Sequence, residues 1–105
     1  MPDFRSVEWL ARTDEVQVRV NTLGPGQATP WHYHTVVRDD VFCLEEGLEV
    51  HLRAPDEVVV LRPGGRQSIA PGRVHRVVNG TSRPLPYLLV QATGRYDFVE
   101  VPSAP

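Results

Sequence analysis

Apolar and polar residues alternate along short segments of the chain. The clearest example is Val16–Leu23 (VQVRVNTL), and alternation with a period of two is typical of a strand with one buried face. The chain contains 10 prolines and 8 glycines, which separate these segments and leave little room for long helices. Further short strands are predicted at Trp31–His34, Val41–Glu45, Leu48–Arg53, Glu57–Leu61, Gln67–Ala70, Val74–Val78, Leu85–Ala92 and Tyr96–Val101.

Many short strands at near-regular spacing, without a helical repeat, predict an all-β sandwich or barrel. The 105 residues are enough for one domain with its own core, and we expect residues 1–105 to form that single domain. The first dozen residues and Pro102–Pro105 are predicted to be loose ends.

Composition narrows the class of function. The net charge is −2, and all 11 basic residues are arginines scattered along the chain. This distribution disfavours nucleic-acid binding, and the lack of lysine excludes Schiff-base chemistry on a lysine side chain. The single cysteine, Cys43, rules out an intrachain disulfide. Without an apolar leader or a run of about 20 apolar residues, a cytoplasmic protein that does not contact membranes is expected.

Two histidines and a carboxylate occur close together in the segment PWHYHTVVRDDVFCLEEG, residues 30–47. His32 and His34 are two residues apart, so in an extended strand both side chains project from the same face. Asp40 shares a strand face with Phe42 and Leu44, and a carboxylate on that apolar face requires a compensating partner. A cation held by the histidines would provide it, although the adjacent Asp39 competes for the role.

A third imidazole comes from His75, which follows the Pro71-Gly72 turn and opens a strand. The set of His32, His34, Asp40 and His75 predicts a site for one divalent transition-metal ion. Mixed nitrogen and oxygen ligands suit Mn, Fe, Co, Ni, Cu or Zn. On a six-coordinate ion, four protein ligands leave two positions for water, substrate or dioxygen.

Simpler interpretations remain open for these residues. The three histidines could face the interior without an ion. Asp40 could cap a turn or pair with Arg38, and Asp39 could be a solvated loop acid.

Two segments of the chain resemble the conserved motifs of the cupin superfamily. The stretch from Gly26 through HYH to Gly47 is similar to the first motif, and the stretch from Gly64 through APGRVH to Asn79 is similar to the second. The sequence departs from the family pattern where Asp40 replaces a glutamate after a longer gap, and where Ala70 replaces a proline. The resemblance implies a jelly-roll β-barrel with the metal near its mouth, and a homodimer.

Other polar and aromatic residues have less specific interpretations. His51 is predicted to be solvated or to bridge strands, while Trp31 and Tyr33 are expected to pack outside the barrel. Cys43 is assigned to the outer face of its strand. The remaining candidates are Gln91, either beside the metal or satisfied by backbone, Arg95 with Asp97 as a surface pair, and Tyr87 with Gln91 as weak acid–base candidates.

The fold alone does not determine the activity. The favoured hypothesis is a small metal-dependent enzyme that acts on an oxygen-rich small molecule, either as a dioxygenase or as an isomerase or lyase. The alternative is a non-catalytic module that binds a small molecule or a sugar. No catalytic residue is assigned, and no cofactor is expected beyond the metal ion.

Overall fold

The computed structural model describes residues 4–102 of the chain. Within these residues, no helix is long and apolar enough to cross a membrane. The ten strands are β1 (Ser6–Arg12), β2 (Val16–Leu23), β3 (His32–Tyr33), β4 (Arg38–Cys43), β5 (Leu48–Leu52), β6 (Glu57–Val60), β7 (Arg66–Ile69), β8 (His75–Asn79), β9 (Leu85–Ala92) and β10 (Val99–Glu100).

The strands form two antiparallel sheets of five strands each. One sheet has the order β1-β2-β9-β4-β7, and the other has the order β10-β3-β8-β5-β6. Neighbours in space are mostly distant in sequence, as is expected when hairpins fold over one another into a double-layered barrel. The predicted all-β architecture is confirmed.

Strand β2 shows how the sequence pattern determines the structure. Its residues alternate between half-buried and buried along its whole length. It pairs with β9 from Val16 opposite Ala92 to Leu23 opposite Leu85 without a break. A slip by one residue would turn every inward side chain outward, so this alternation fixes the register.

The barrel interior is apolar at one end and polar at the other. Leu85, Tyr87 and Leu89 of β9 belong to the apolar core, whereas the next inward residue is Gln91. The inward positions of β2 change in the same way, from Leu23 to Arg19 and Gln17. The core residues are Leu23, Val41, Cys43, Leu48, Val50, Leu52, Leu61, Ile69, Val77, Leu85, Tyr87 and Leu89. The polar end is therefore where chemistry can occur.

Three expectations about the chain organisation were wrong. The first dozen residues are not a loose end, because Ser6–Arg12 pairs with β2. The predicted last strand shrinks to Val99–Glu100. Cys43 points into the core and is 1% exposed, and its thiol donates to the carbonyl of Glu45. Residues 1–3 and 103–105, including most of the predicted C-terminal loose end, lie outside the described residues.

Candidate metal centre

Four side chains converge at the polar end of the barrel: His32, His34, Asp39 and His75. Each offers one ligand atom, and these atoms all lie within 4.8 Å of one another. All four residues are buried, with exposed fractions between 1% and 5%. Strands from both sheets contribute, so the barrel has to fold before the four groups can meet.

Strand pairing brings the four groups together. His32 on β3 lies directly opposite His75 on β8, and His34 follows His32 by two residues, which keeps it on the same face. In the other sheet, Asp39 on β4 lies opposite Gln91 on β9. The predicted convergence of the three histidines is therefore present in the structure.

Each of the three imidazoles is oriented by a backbone carbonyl. His32 Nδ1 lies 2.7 Å from the carbonyl oxygen of Pro30, His34 Nδ1 lies 2.6 Å from that of Asp97, and His75 Nδ1 lies 2.8 Å from that of Arg73. A carbonyl only accepts hydrogen bonds, so each Nδ1 carries the proton. In the neutral ring, Nε2 then presents a lone pair.

The carboxylate of Asp39 faces two of these lone pairs. Its Oδ2 atom lies 3.1 Å from His34 Nε2 and 3.0 Å from His75 Nε2. With Nδ1 already protonated, these contacts are favourable only if the rings are cationic or if a cation lies among the acceptors. Three imidazoles held by carbonyls beside one carboxylate fit a transition-metal ion well, because metal-binding histidines usually have such partners.

Burial and mutual charge shift the titration of the cluster. Burial, followed by the charge of His75, lowers the pKa of His32 to about 3. Burial also acts to lower the pKa of His34, but the hydrogen bond and charge of Asp39 outweigh it, so the pKa is raised. Burial acts to raise the pKa of Asp39, yet the hydrogen bonds from His34 and His75 hold it well below its usual range. Asp39 is therefore an anion that is ready to bind a cation.

The carboxylate beside the histidines is Asp39, which corrects the prediction of Asp40. The Asp40 side chain accepts hydrogen bonds from Ser68 Oγ and Arg38 Nε, and it pairs with Arg38 Nη2 at 3.1 Å. The inward face of β4 carries Asp39, Val41 and Cys43. The alternative interpretation of Asp40, an ion pair with Arg38, is the one found in the structure.

An aromatic segment between β9 and β10 covers the histidines. The Phe98 ring stacks on His32 at 4.3 Å between centroids, and the Tyr96 ring lies 5.5 Å from that of His34. The Asp97 carboxylate between them accepts hydrogen bonds from Thr35 N at 2.8 Å and Thr35 Oγ1 at 2.6 Å. We call residues 94–98 the strap, because they lie over the site between β9 of one sheet and β10 of the other.

Sequence reasoning missed the strap and one charged residue of the interior. Tyr96 and Phe98 were assigned to a strand, and nothing in the alternation marks them as a cover. Arg19 lies at an inward position of β2 and is 2% exposed. The signal for Arg19 was available in the alternation of Val16–Leu23, which places its side chain on the same face as Leu23.

The secondary candidates fall into two groups. Gln91 does reach the site, because its Nε2 donates to Asp39 Oδ1 at 2.9 Å. The Tyr87 hydroxyl instead accepts from Asn21 within the barrel, and burial raises its pKa. His51 bridges Glu49 and Arg76 as expected, with contacts of 2.9 Å and 3.2 Å.

The outer face of the second sheet carries Trp31, whose ring lies beneath the guanidinium groups of Arg53 at 4.0 Å and Arg76 at 4.6 Å. Two depressions, of about 360 Å³ and about 440 Å³, border this tryptophan. Their linings contain none of the four clustered residues, so the chemistry and the surface depressions are separate. The predicted surface pair of Arg95 with Asp97 is not among the ion pairs of residues 4–102, because the Asp97 carboxylate binds Thr35.

Comparison with known proteins identifies the fold. No protein-family model matches the sequence, and a search of curated proteins found no match. Among solved structures, an uncharacterised protein with a double-stranded β-helix domain from Klebsiella pneumoniae is similar over 97% of this chain and 85% of that one, with 24% identity and a TM-score of 0.79.

Two further structures have named activities. An oxalate oxidase is similar over 91% of this chain and 54% of its own, with 18% identity and a TM-score of 0.78. A sugar phosphate isomerase from a cupin superfamily, from Silicibacter pomeroyi, is similar over 87% of this chain and 71% of its own, with 20% identity and a TM-score of 0.64. At these identities the similarity concerns the fold.

Proposed function

We propose, from the premise that this chain has the double-stranded β-helix fold of the cupin superfamily, that it is a metal-dependent enzyme acting on a small oxygen-rich molecule. The observation that carries the proposal is the orientation of the imidazoles. Backbone carbonyls hold Nδ1 of His32, His34 and His75, so that the opposite edges of the rings meet Asp39. Without a metal ion, this arrangement buries one carboxylate against nitrogen lone pairs unless the rings themselves take up protons.

The donor set indicates which ions would bind. Three imidazole nitrogens and one carboxylate oxygen suit Fe, Mn, Co, Ni, Cu or Zn better than Mg or Ca, which prefer oxygen ligands alone. With Asp39 as the single anion, a divalent ion would leave the centre with a net charge of +1. Such an ion would act as a Lewis acid toward vicinal oxygen atoms of a substrate and, if it is iron, could also react with dioxygen.

The surrounding residues orient the ligands and exclude water. Gln91 donates to the Asp39 oxygen that does not face the histidines, which fixes the carboxylate plane. Phe98 and Tyr96 cover the imidazoles from outside. A water-poor site of this kind strengthens the interaction between a bound ion and an anionic or polarised substrate.

Two reaction classes fit such a centre. One is the addition of dioxygen to an electron-rich diol or enol, and the other is metal-assisted isomerisation or elimination. The similar folds of an oxalate oxidase and a sugar phosphate isomerase support small oxygen-rich molecules as the class of substrate.

Metal content tests the proposal directly. We expect about one equivalent of a transition metal in protein purified without an affinity tag, measured by plasma mass spectrometry. The double variant His32→Ala, His75→Ala should lose it, whereas His51→Ala on the outer face should retain it. If the wild-type protein contains no metal and takes none up from solution, the proposal is wrong.

Turnover separates an enzyme from a binder. For the dioxygen reaction, iron-loaded protein should consume oxygen with at least one member of a panel of catechols and diketones, and zinc-loaded protein should not; no uptake with any of them would contradict that version. The burial of all four ligands beneath the strap favours a second candidate, a ligand-binding module with an orienting ion. That candidate predicts a higher melting temperature with ligand, and ligand recovered unchanged.

We also propose a cytoplasmic homodimer. The edge strands β1 and β6 carry exposed apolar side chains, including Leu10 at 54%, Val58 at 64% and Val60 at 66%. Pairing would cover these edges. Light scattering should give twice the mass of one chain, and a monomer at micromolar concentration would contradict this proposal.

A further inference from the structure

A buried arginine lies inside the barrel without a carboxylate partner. Arg19 is 2% exposed, and its hydrogen bonds go to two neutral amides: Nη1 donates to Gln17 Oε1 at 2.8 Å and Nε donates to Asn21 Oδ1 at 3.1 Å. None of the ion pairs among residues 4–102 includes it. Buried charges are normally paired, so an unpaired guanidinium indicates an anion that binds there.

Arg19 is adjacent to the metal centre through Tyr96. Its guanidinium lies 5.7 Å from the Tyr96 ring, and that ring lies 5.5 Å from His34. Gln17 on β2, Gln91 on β9 and Asp39 on β4 lie opposite one another in one row across the sheet. Arg19 follows Gln17 by two residues and therefore lies in the next inward row. Inward rows are about 6.6–6.8 Å apart along a strand, and the Arg19 side chain reaches the Tyr96 ring, which lies beside His34.

Two buried polar atoms in this region lack a full set of partners: Gln91 Oε1 has none, and the Tyr96 hydroxyl has only the Arg19 guanidinium beside it. The hydroxyl is a donor next to the guanidinium, and the amide oxygen is an acceptor next to Asp39. Such orphaned groups are rare, and they often mark a missing ligand. A carboxylate would satisfy the hydroxyl and the guanidinium, while a hydroxyl group on the same molecule would satisfy the amide oxygen.

The charge balance of the barrel interior favours a ligand with two negative charges. The described residues contain three buried charged side chains, and one of them, Asp40, is paired with Arg38 on the outer face. The interior then holds −1 from Asp39 and +1 from Arg19. A bound divalent ion would bring the sum to +2, which two carboxylate groups would neutralise.

We propose that Arg19 and Tyr96 form an anion subsite beside the metal centre, and that the substrate is a short dicarboxylate. One carboxylate binds the Arg19 guanidinium and the Tyr96 hydroxyl, and the other end of the molecule meets the histidine cluster. This inference rests on the proposed metal function and adds the substrate class to it. Trp9 and Tyr96, whose rings lie 5.1 Å and 5.7 Å from the Arg19 guanidinium, are not buried, so the subsite would be reached from their side.

The test compares malate with lactate, which retains the hydroxy acid group but lacks the second carboxylate. Trp9 reports binding, because Arg19 lies 5.1 Å from its ring, and a Trp31→Phe background makes Trp9 the only tryptophan. We expect malate to bind about 10- to 100-fold more tightly than lactate, as a charge-assisted hydrogen bond would give. In Arg19→Gln the ratio should fall to about one.

The matched control is Arg12→Gln. Arg12 stacks on the same tryptophan at 4.6 Å but is exposed, so the preference for malate should persist. If Arg19→Gln does not fold, the Nε–H resonance of Arg19 in the wild-type protein provides the test, and it should shift with malate but not with lactate. An unchanged resonance, equal affinities, or no binding of malate would overturn the subsite.

Metal content, measured on the same samples, separates this inference from the proposed function. Protein that holds one metal ion but does not prefer malate would overturn the subsite and leave the metal function standing. Protein that prefers malate through Arg19 but holds no metal would overturn the metal function and establish the anion subsite alone.

Discussion

Gln91 lies directly opposite Asp39 on the neighbouring strand, and its amide Nε2 donates a 2.9 Å hydrogen bond to Asp39 Oδ1. The other carboxylate oxygen faces His34 and His75. The pair therefore divides the carboxylate into one oxygen that is held by the protein and one that is available to an ion.

Replacing Gln91 with leucine should weaken metal binding. The substitution leaves Asp39 Oδ1 buried without a donor and frees the carboxylate to rotate, so we expect affinity to fall about 10- to 100-fold. A competition titration against a chelator measures this change. Gln67→Leu is the matched control, because the Gln67 amide bonds to the Ser68 carbonyl at the surface. Equal affinities for all three proteins would show that the hydrogen bond does not matter.

Asp39→Asn and Asp40→Asn form a second matched pair. Asp39→Asn removes the charge that faces the histidines, and we expect metal affinity to fall at least about 100-fold, since an amide is a weaker ligand for these ions. Asp40→Asn disturbs the hydrogen bond from Ser68 and the pair with exposed Arg38 on the outer face, and such an exposed pair contributes about 0.2–1 kcal/mol to stability. Calorimetric metal titration measures the affinity of both variants. If Asp40→Asn weakens metal binding more than Asp39→Asn does, the ligand is Asp40.

The metal-free protein should lose stability as the pH falls from 6.5 to 5. The pKa of His32 is lowered to about 3 by burial, so the unfolded chain takes up a proton there that the folded chain does not. The raised pKa of His34 stabilises the fold as the pH falls through the unfolded value of about 6.5. This opposing contribution still grows near pH 6.5 and is nearly complete by about pH 5.5, so the loss due to His32 dominates the lower part of the window. One proton difference corresponds to about 1.4 kcal/mol per pH unit.

Urea unfolding at pH 6.5, 5.8 and 5 measures this slope. Restricting the measurement to pH 5 and above avoids the titration of most carboxylates, including Asp39, whose stabilising effect is lost only as the pH falls through its lowered pKa. His32→Gln should flatten the slope, whereas His51→Gln, on the outer face, should not. If the free energy of unfolding of His32→Gln still falls with pH as steeply as that of the wild type, the pH dependence does not come from His32.

Weakening the strap should speed metal release. Asp97→Ala removes both hydrogen bonds to Thr35 and loosens the carbonyl that orients His34. We expect release into a strong chelator, followed by stopped flow, to be about 10-fold faster, by analogy with other partners of metal ligands. Arg95→Ala in the same strap is the control, because Arg95 is exposed. Identical release from both variants would mean that the strap does not retain the ion.

The sequence was sufficient for the fold because alternation and turn residues are local signals. Val16–Leu23 and Leu85–Ala92 were predicted with their observed bounds. The three histidines were also identified, since residues two apart in a strand must share a face and a turn precedes His75.

The choice between Asp39 and Asp40 required the structure. Both faces of the segment carry apolar residues, with Val41 and Cys43 on one face of β4 and Phe42 on the other, followed by Leu44 just beyond the strand, so alternation could not show which face points inward. The pairing of Asp39 with Gln91 and Ile69 decides it. The strap was missed for a related reason: a segment that packs by aromatic stacking over distant histidines leaves no periodic signal in its own sequence.

The three carbonyl groups that orient the imidazoles come from Pro30, Arg73 and Asp97. Every amino acid supplies a carbonyl, so the contacts from Pro30 and Arg73 depend on the path of the main chain, whereas the Asp97 carbonyl is also held in place by the bonds of its side chain to Thr35. Most point substitutions should therefore leave the orientation of the three imidazole rings unchanged. Interior residues that do not orient the ligands, such as Arg19, can change without moving the imidazoles, so one scaffold can acquire a new substrate without having to rebuild its ligand geometry.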